Sequence, residues 1–197
     1  MTPTEVMNPR APPSVPPAVK TTPDPLAELA YLAGRGDRDA LTDLIRLTQR
    51  DLLRFLLPLT TPADVEDLAQ ETYLRAVGAL PRFAGRSTVR TWLFSIARRV
   101  AADHVRRATR RPRTAPLPVE EMNGNATRFE EHHALTDLVR GLADDRREAF
   151  LLTQVAGLSY AEAAEVCDCP IGTIRSRVAR AREDLVAALA DRSAKSA

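Results

Sequence analysis

Cysteine, aromatic residues, lysine and long apolar runs are all scarce in the sequence, and each scarcity removes a class of protein. The two cysteines, Cys167 and Cys169, lie one residue apart. That spacing suits neither a disulfide framework nor a paired CxxC zinc site, so reduced thiols and no bound metal are expected. Aromatic residues make up 5% of the 197 against a hydrophobic share of 44%, which predicts cores of Leu, Ala and Val in a mostly helical protein. No apolar run approaches the roughly 20 residues that cross a bilayer, and the N-terminal residues show no pattern of a cleaved signal. A cytoplasmic protein without membrane insertion is expected. Lys20 and Lys195 are the only lysines among 28 basic residues, so arginine carries nearly all the positive charge.

The formal charge of +2 conceals an uneven distribution. Between residues 82 and 113 stand Arg82, Arg86, Arg90, Arg98, Arg99, Arg106, Arg107, Arg110, Arg111 and Arg113, with Asp103 the one acidic residue. Such a local excess points to a polyanion partner.

Eight prolines between Pro3 and Pro25 remove backbone donors where little apolar surface is available to bury, so residues 1–25 read as a disordered tail. Helical patterning starts near Leu26, with Asp24 as N-cap and Pro25 in the first turn, and breaks at Gly34 and Gly36. Further helices are predicted from Ala40 to about Pro58, from about Pro62 to Leu80, and from about Thr88 to Arg110. Pro112, Pro116, Pro118 and Gly124 mark residues 111–128 as a linker. Helices at about 129–142, 145–156, 159–166 and 171–190 follow. No alternating strand pattern occurs. The expected fold is all-α: two small helical domains, 26–110 and 129–192, joined by a flexible linker.

In the second domain Gly157 ends a helix, Ser159 caps the next, and Glu162 completes a capping box. Pro170 opens another helix after the short Cys167-Asp168-Cys169 connection, and small Ala163 and Ala164 allow close approach. This is a helix-turn-helix. Ile171, Ile174, Val178, Ala181 and Leu185 share one face of the last helix, while Gly172, Thr173, Ser176, Ala179 and Arg180 face away. Small residues permit deep entry into the major groove, and Arg175, Arg177, Arg180 and Arg182 supply charge for guanine or phosphate.

In the first domain Val65, Leu68, Ala69, Thr72 and Ala76 form one helix face. Asp64, Asp67 and Glu71 span about 60° of another, with Leu74 and Val77 beside them. An acidic strip flanked by apolar residues suits a protein partner, although first-turn carboxylates also favour the helix dipole. No His, Ser or Cys stands nearby to complete an acid-base site, so catalysis and a cofactor are not expected. Downstream, Leu93, Ile96, Ala97 and Val100 point inward, opposite Ser95, Arg98, Arg99, Ala102, Arg106 and Arg110, a face able to track a phosphate backbone. Trp92 and His104 are expected in the core, and His132 and His133 at a solvated helix start.

Arg147-Glu148-Ala149-Phe150, Gly157-Leu158-Ser159-Tyr160 and Gly172-Thr173-Ile174-Arg175-Ser176-Arg177 resemble region 4 of extracytoplasmic-function sigma factors, and the actinobacterial sigma C subgroup most of all. The run from Asp64 to Ala76 resembles region 2.2 of that family, and Arg82 to Arg99 resembles regions 2.3 and 2.4. The resemblance implies an RNA polymerase subunit that reads promoters and promotes their opening, leaving RNA synthesis to the core enzyme. It implies that Arg175, Ser176 and Ala179 face bases of the −35 element, with Ser159, Tyr160, Thr173, Arg177 and Arg180 near phosphates. It implies a pocket for an unstacked −10 base at Gly85, Arg86, Ser87 and Thr88, with Ser95, Arg98, Arg99 and Arg106 along the opened strand. It further implies that Asp64, Asp67, Gln70, Glu71 and Leu74 dock on the β′ clamp helices, that region 4 meets the β flap, and that an anti-sigma factor is a further candidate partner. Two positions depart from the family pattern. Leu142-Ala143-Asp144 replaces a Leu-Pro turn, and Arg99 stands where Asn is frequent, leaving the preferred −10 base open.

A helix-turn-helix repressor would account for the C-terminal motif alone, but has no need of an acidic docking helix followed by a basic one. A DNA-processing enzyme would need a nucleophile or metal-ligand constellation, which the sequence does not offer.

Overall fold

The computed structural model describes residues 24–110 and 134–195. Nearly all of the expected tail, the whole of the expected linker, and His132 and His133 lie outside the described residues. Among those described, every regular element is helical. The order is α1 Ala27–Gly34, α2 Arg38–Leu56, α3 Val65–Ala79, α4 Val89–Arg110, α5 134–140, α6 Asp144–Phe150, α7 Tyr160–Cys167 and α8 Ile171–Lys195.

Local chemistry sets the boundaries. Gly36 adopts a left-handed φ of 95° between α1 and α2, a conformation that costs glycine nothing. Asp37 then caps α2, its carboxylate accepting the Asp39 and Ala40 amides at 2.9 and 3.0 Å. Asp24 reaches further than a simple cap for α1. One carboxylate oxygen accepts the Leu26 amide at 3.0 Å and the other the Val89 amide at 2.6 Å, tying the starts of α1 and α4 together. The helix expected at 145–156 is in two parts, since α6 runs into a wide π turn at Leu151–Val155 closed by the Ala156 amide on the Leu151 carbonyl.

The α3 face expected inside, from Val65 through Leu68, Ala69 and Thr72 to Ala76, is buried. The Thr72 hydroxyl avoids an unsatisfied burial by donating to the Leu68 carbonyl at 2.7 Å. Phe55 of α2 meets Phe94 of α4 edge to face at 5.2 Å. A smaller cluster of Leu26, Ala30, Leu44, Leu80 and Val89 takes in Phe83 and the expected Trp92, whose rings lie 5.0 Å apart.

Two expected core positions are not in the core. His104 sits half-buried with Nε2 3.5 Å from Asp64, in the turn that precedes α3, so its polar ring faces a carboxylate instead of the apolar core. Ile171 is 40% exposed, whereas Ile174, Val178, Ala181 and Leu185 are buried. Ile171 lines an open concavity with Ala161, Ala164 and Glu165 of α7.

The larger departure concerns α4, whose expected open face is only partly open: Arg99 and Arg106 are exposed, but Ser95, Arg98 and Ala102 are half-buried. The main apolar cluster runs without a break from Leu52, Phe55 and Leu56, through Phe94, Ala97 and Val100, to Leu151, Leu152, Ala163 and Val166. Here α7 packs on α4, and the π turn packs on α2. Arg140 of α5 adds two donations across the same boundary, to the carbonyls of Leu57 and Thr60, both at 3.0 Å. Phe94, Thr91 and Ala101 are buried because α4 is enclosed from two sides.

Phe55 is fully buried in the apolar cluster that both halves share. Phe55→Ala is expected to cost about 3–5 kcal/mol, read as a shift in the chemical denaturation midpoint.

Candidate nucleic-acid interface

The helix-turn-helix forms as the sequence predicts. Ser159 Oγ accepts the Glu162 amide at 3.2 Å, and the Glu162 carboxylate returns to the Ser159 amide at 2.9 Å, completing the capping box. Asp168, at φ 51°, closes α7 in the left-handed region, and the fully buried Ala163 lets α7 lie close on its neighbours.

On α8 the side chains of Arg175, Ser176, Ala179 and Arg180 are exposed together on the outward face. Arg175 and Arg180 have no ion-pair partner among the described residues. Arg177 is different, being half-buried with its guanidinium on Asp145 at 3.1 Å and on Cys169 Sγ at 3.8 Å, so it fastens α8 to α6. Thr173 and Tyr160 are half-buried, and Ser159 is committed to its cap. Of the eight residues expected to read a duplex, four form the open face and the others flank or support it.

The second expected surface is divided. Gly85 turns the chain at φ 64°, Arg86 and Arg99 are exposed, and Ser95 donates to the Trp92 carbonyl at 2.7 Å. Arg106 pairs with Asp103 at 2.5 Å, and Arg75 of α3 shares that carboxylate at 3.2 Å. Ser87, Thr88 and Arg98 are half-buried. The Thr88 hydroxyl donates to Glu162 Oε1 of α7 at 2.9 Å, joined by Thr91 at 3.2 Å, and Arg98 Nε donates to Glu148 of α6 at 2.6 Å. Carboxylates of the second half therefore engage Thr88 and Arg98, two of the residues expected to meet a nucleic-acid strand.

Three participants were not anticipated from sequence: Thr91, Glu148 and Glu162 as a bridging group. The local signal for Glu162 pointed to its capping box, which uses Oε2 and leaves Oε1 for the other half. Glu148 lies 50 residues from Arg98, and no periodicity links them. Behind Glu148 the buried Cys167 thiol is pushed up to about 12 by burial and by that carboxylate, so it stays protonated and inert. No group of three metal-binding side chains occurs among the described residues.

On α3, Asp67 and Gln70 are exposed, and Glu71 pairs with Arg75 at 2.7 Å. Asp64 is engaged locally, accepting the Thr61 hydroxyl at 2.5 Å and facing His104. Leu74 is 70% and Val77 40% exposed, forming an apolar ridge beside the carboxylates. Among the described residues no helix is long and apolar enough to cross a membrane.

Comparison with known proteins gives matches in both halves. The family model Sigma-70 region 2 matches residues 44–111, and Sigma-70, region 4 matches residues 132–185. The ECF RNA polymerase sigma factor SigC of Mycobacterium tuberculosis is 50% identical over 163 residues, covering 81% of this chain and 88% of that protein. Among solved structures, CnrH in complex with the cytosolic domain of CnrY aligns with a TM-score of 0.68 at 27% identity, covering 83% of this chain and 96% of that one. RpoE of Bartonella quintana, in complex with the anti-sigma factor NepR, aligns at 0.58 and 30% identity, covering 73% and 92%.

The Glu162 contact carries a pH dependence. Burial alone would raise its carboxyl above the usual 4.5, but hydrogen bonds from the Ser159 amide and hydroxyl and from Thr88 and Thr91 outweigh it and lower it. A lowered carboxylate contributes fully above its ordinary value and loses that contribution as the pH falls through the lowered one. A fluorophore pair spanning the two halves should report their separation on acidification below about pH 4.5, and Glu162→Gln should shrink that change.

Proposed function

The chain belongs to the sigma-70 family of RNA polymerase sigma factors, in its extracytoplasmic-function branch, and we propose that its two halves divide the reading of a promoter between them. It is a transcription initiation factor that binds core polymerase, recognises −35 and −10 elements and promotes their opening. The observation that carries this is the presence of both sigma-70 regions in one chain. A helix-turn-helix regulator would need only the second.

Residues 26–110 serve as the region 2 domain, 129–192 as the region 4 domain, and 111–128 as the connection between them. On region 4, Arg175, Ser176 and Ala179 meet bases of the −35 duplex, and Arg180 a phosphate. The exposure of all four on one face of α8 supports this reading. Ser159, Tyr160 and Thr173 border the same face, and Arg177 acts by fixing α8 rather than by touching DNA. On region 2, the Gly85–Thr88 loop receives an unstacked −10 base, and Ser95, Arg98, Arg99 and Arg106 follow the separated strand. Asp64, Asp67, Gln70, Glu71 and Leu74 dock on the β′ clamp helices, with Val77 extending the apolar contact. Phosphodiester chemistry stays with the core enzyme, and this chain contributes binding alone. Both solved neighbours were captured with a partner protein, one of them an anti-sigma factor, so a partner of that type is a candidate for this chain as well.

Reconstitution with core polymerase tests the whole reading. Promoter-dependent run-off transcripts are expected, and their absence on every template selected from a randomised promoter pool would overturn it. Reversing charge at Asp67 and Glu71 should weaken core binding about tenfold or more, whereas unchanged affinity would remove both from the docking surface. Arg175→Ala should cost about 1–3 kcal/mol at one promoter position. Equal loss on all sequences would make it a phosphate contact instead.

A further inference from the structure

Two threonine hydroxyls from the region 2 half converge on a single carboxylate oxygen of the other. Thr88 Oγ1 and Thr91 Oγ1 are 2.8 Å apart, and both donate to Glu162 Oε1. Thr88 is also the cap of α4, accepting the Thr91 amide at 3.2 Å, so the pair is fixed by the helix that bears it. Glu162 is fixed as well, because its other oxygen is held by Ser159 at 2.7 and 2.9 Å. Seven residues along α4, about 10 Å further, Arg98 holds a second carboxylate, that of Glu148. One side of the helix thus grips two anions in line. Neither belongs to the region 2 half.

A carboxylate and a phosphodiester present the same feature to a donor: two oxygens sharing a negative charge. Hydroxyls of Ser and Thr at the start of a helix are recurrent partners of DNA phosphates. We propose that the Thr88–Thr91 hydroxyl pair is a backbone-phosphate site for the opened −10 strand, and that Glu162 fills it as a phosphate substitute while the domains are closed. The proposal rests on the sigma reading and adds Thr91, which that reading did not include. It also makes entry of the strand and departure of α7 a single exchange, since one oxyanion leaves the hydroxyls as another arrives.

The test uses holoenzyme and a forked promoter template bearing the −10 sequence that the wild-type holoenzyme selects from a randomised pool. Thr91→Val is expected to weaken fork binding about tenfold, and Thr91→Ser, which keeps the hydroxyl, to bind as the wild type does. Replacing single phosphates of the −10 strand by neutral methylphosphonates then identifies the partner. At one linkage the wild type should lose affinity and Thr91→Val should lose nothing further. In the free chain, Glu162→Gln should bind the same strand several-fold more tightly, because it keeps the shape and removes the competing charge. Wild-type binding by Thr91→Val, or additive losses at every linkage, would overturn the phosphate site. Unchanged affinity of Glu162→Gln would overturn the substitution by Glu162. Failure of the wild-type holoenzyme to select any sequence would instead sink the sigma reading, which separates the two failures.

Discussion

The arrangement of the closed chain depends on one helix being buried from two directions. α4 packs on α2 and α3 in its own half and on α7 of the other, and its Phe94, Ala97, Val100 and Ala101 all lie in the apolar cluster that the two halves share. Such a helix would ordinarily be apolar all round. This one remains polar along one strip, the strip proposed to receive DNA. The conflict is resolved by supplying carboxylates from outside. A guanidinium or hydroxyl enclosed by protein needs a partner, and Glu148 and Glu162 provide it while the halves are together.

That solution leaves the chain closed on one surface and open on two others. The outward face of α8 and the ridge of Asp67, Gln70, Leu74 and Val77 remain accessible, so closure covers only the surface proposed to read the strand. Domains that pack through an ion pair, a few hydrogen bonds and a shared apolar seam are held less firmly than a single domain. Polymerase, DNA or another protein can part them by binding the separated form more tightly.

Most of the fold was legible because its signals are local. The capping box at Ser159 and Glu162, the prolines at 62 and 170 and the five-residue face of α3 each act within a few turns, and each element formed where the sequence put it. The exceptions arise where a distant surface intervenes. Arg98 lies on the side of α4 that periodicity assigned to solvent, and the return of α6 half-buries it against Glu148. His104 and Ile171 differ in the opposite sense, as positions on an inward stripe that stay partly open, His104 facing the Asp64 carboxylate and Ile171 lining an open concavity beside α7. The site was legible to the same degree: the open face of α8 and the acidic strip follow from helical spacing, whereas the masking carboxylates depend on how two halves meet.

The composition of the reading surfaces has a consequence for regulation. Neither surface holds a lysine, since the only two in the chain are Lys20 and Lys195. Arginine stays protonated at any physiological pH. Acetylation of lysine therefore finds no target there, and arginine methylation would leave the charge in place. The affinity of such a surface for nucleic acid cannot be lowered by discharging it. It has to be neutralised by an opposing charge brought against it, and in this chain the fold itself brings one, the Glu148 carboxylate, against Arg98.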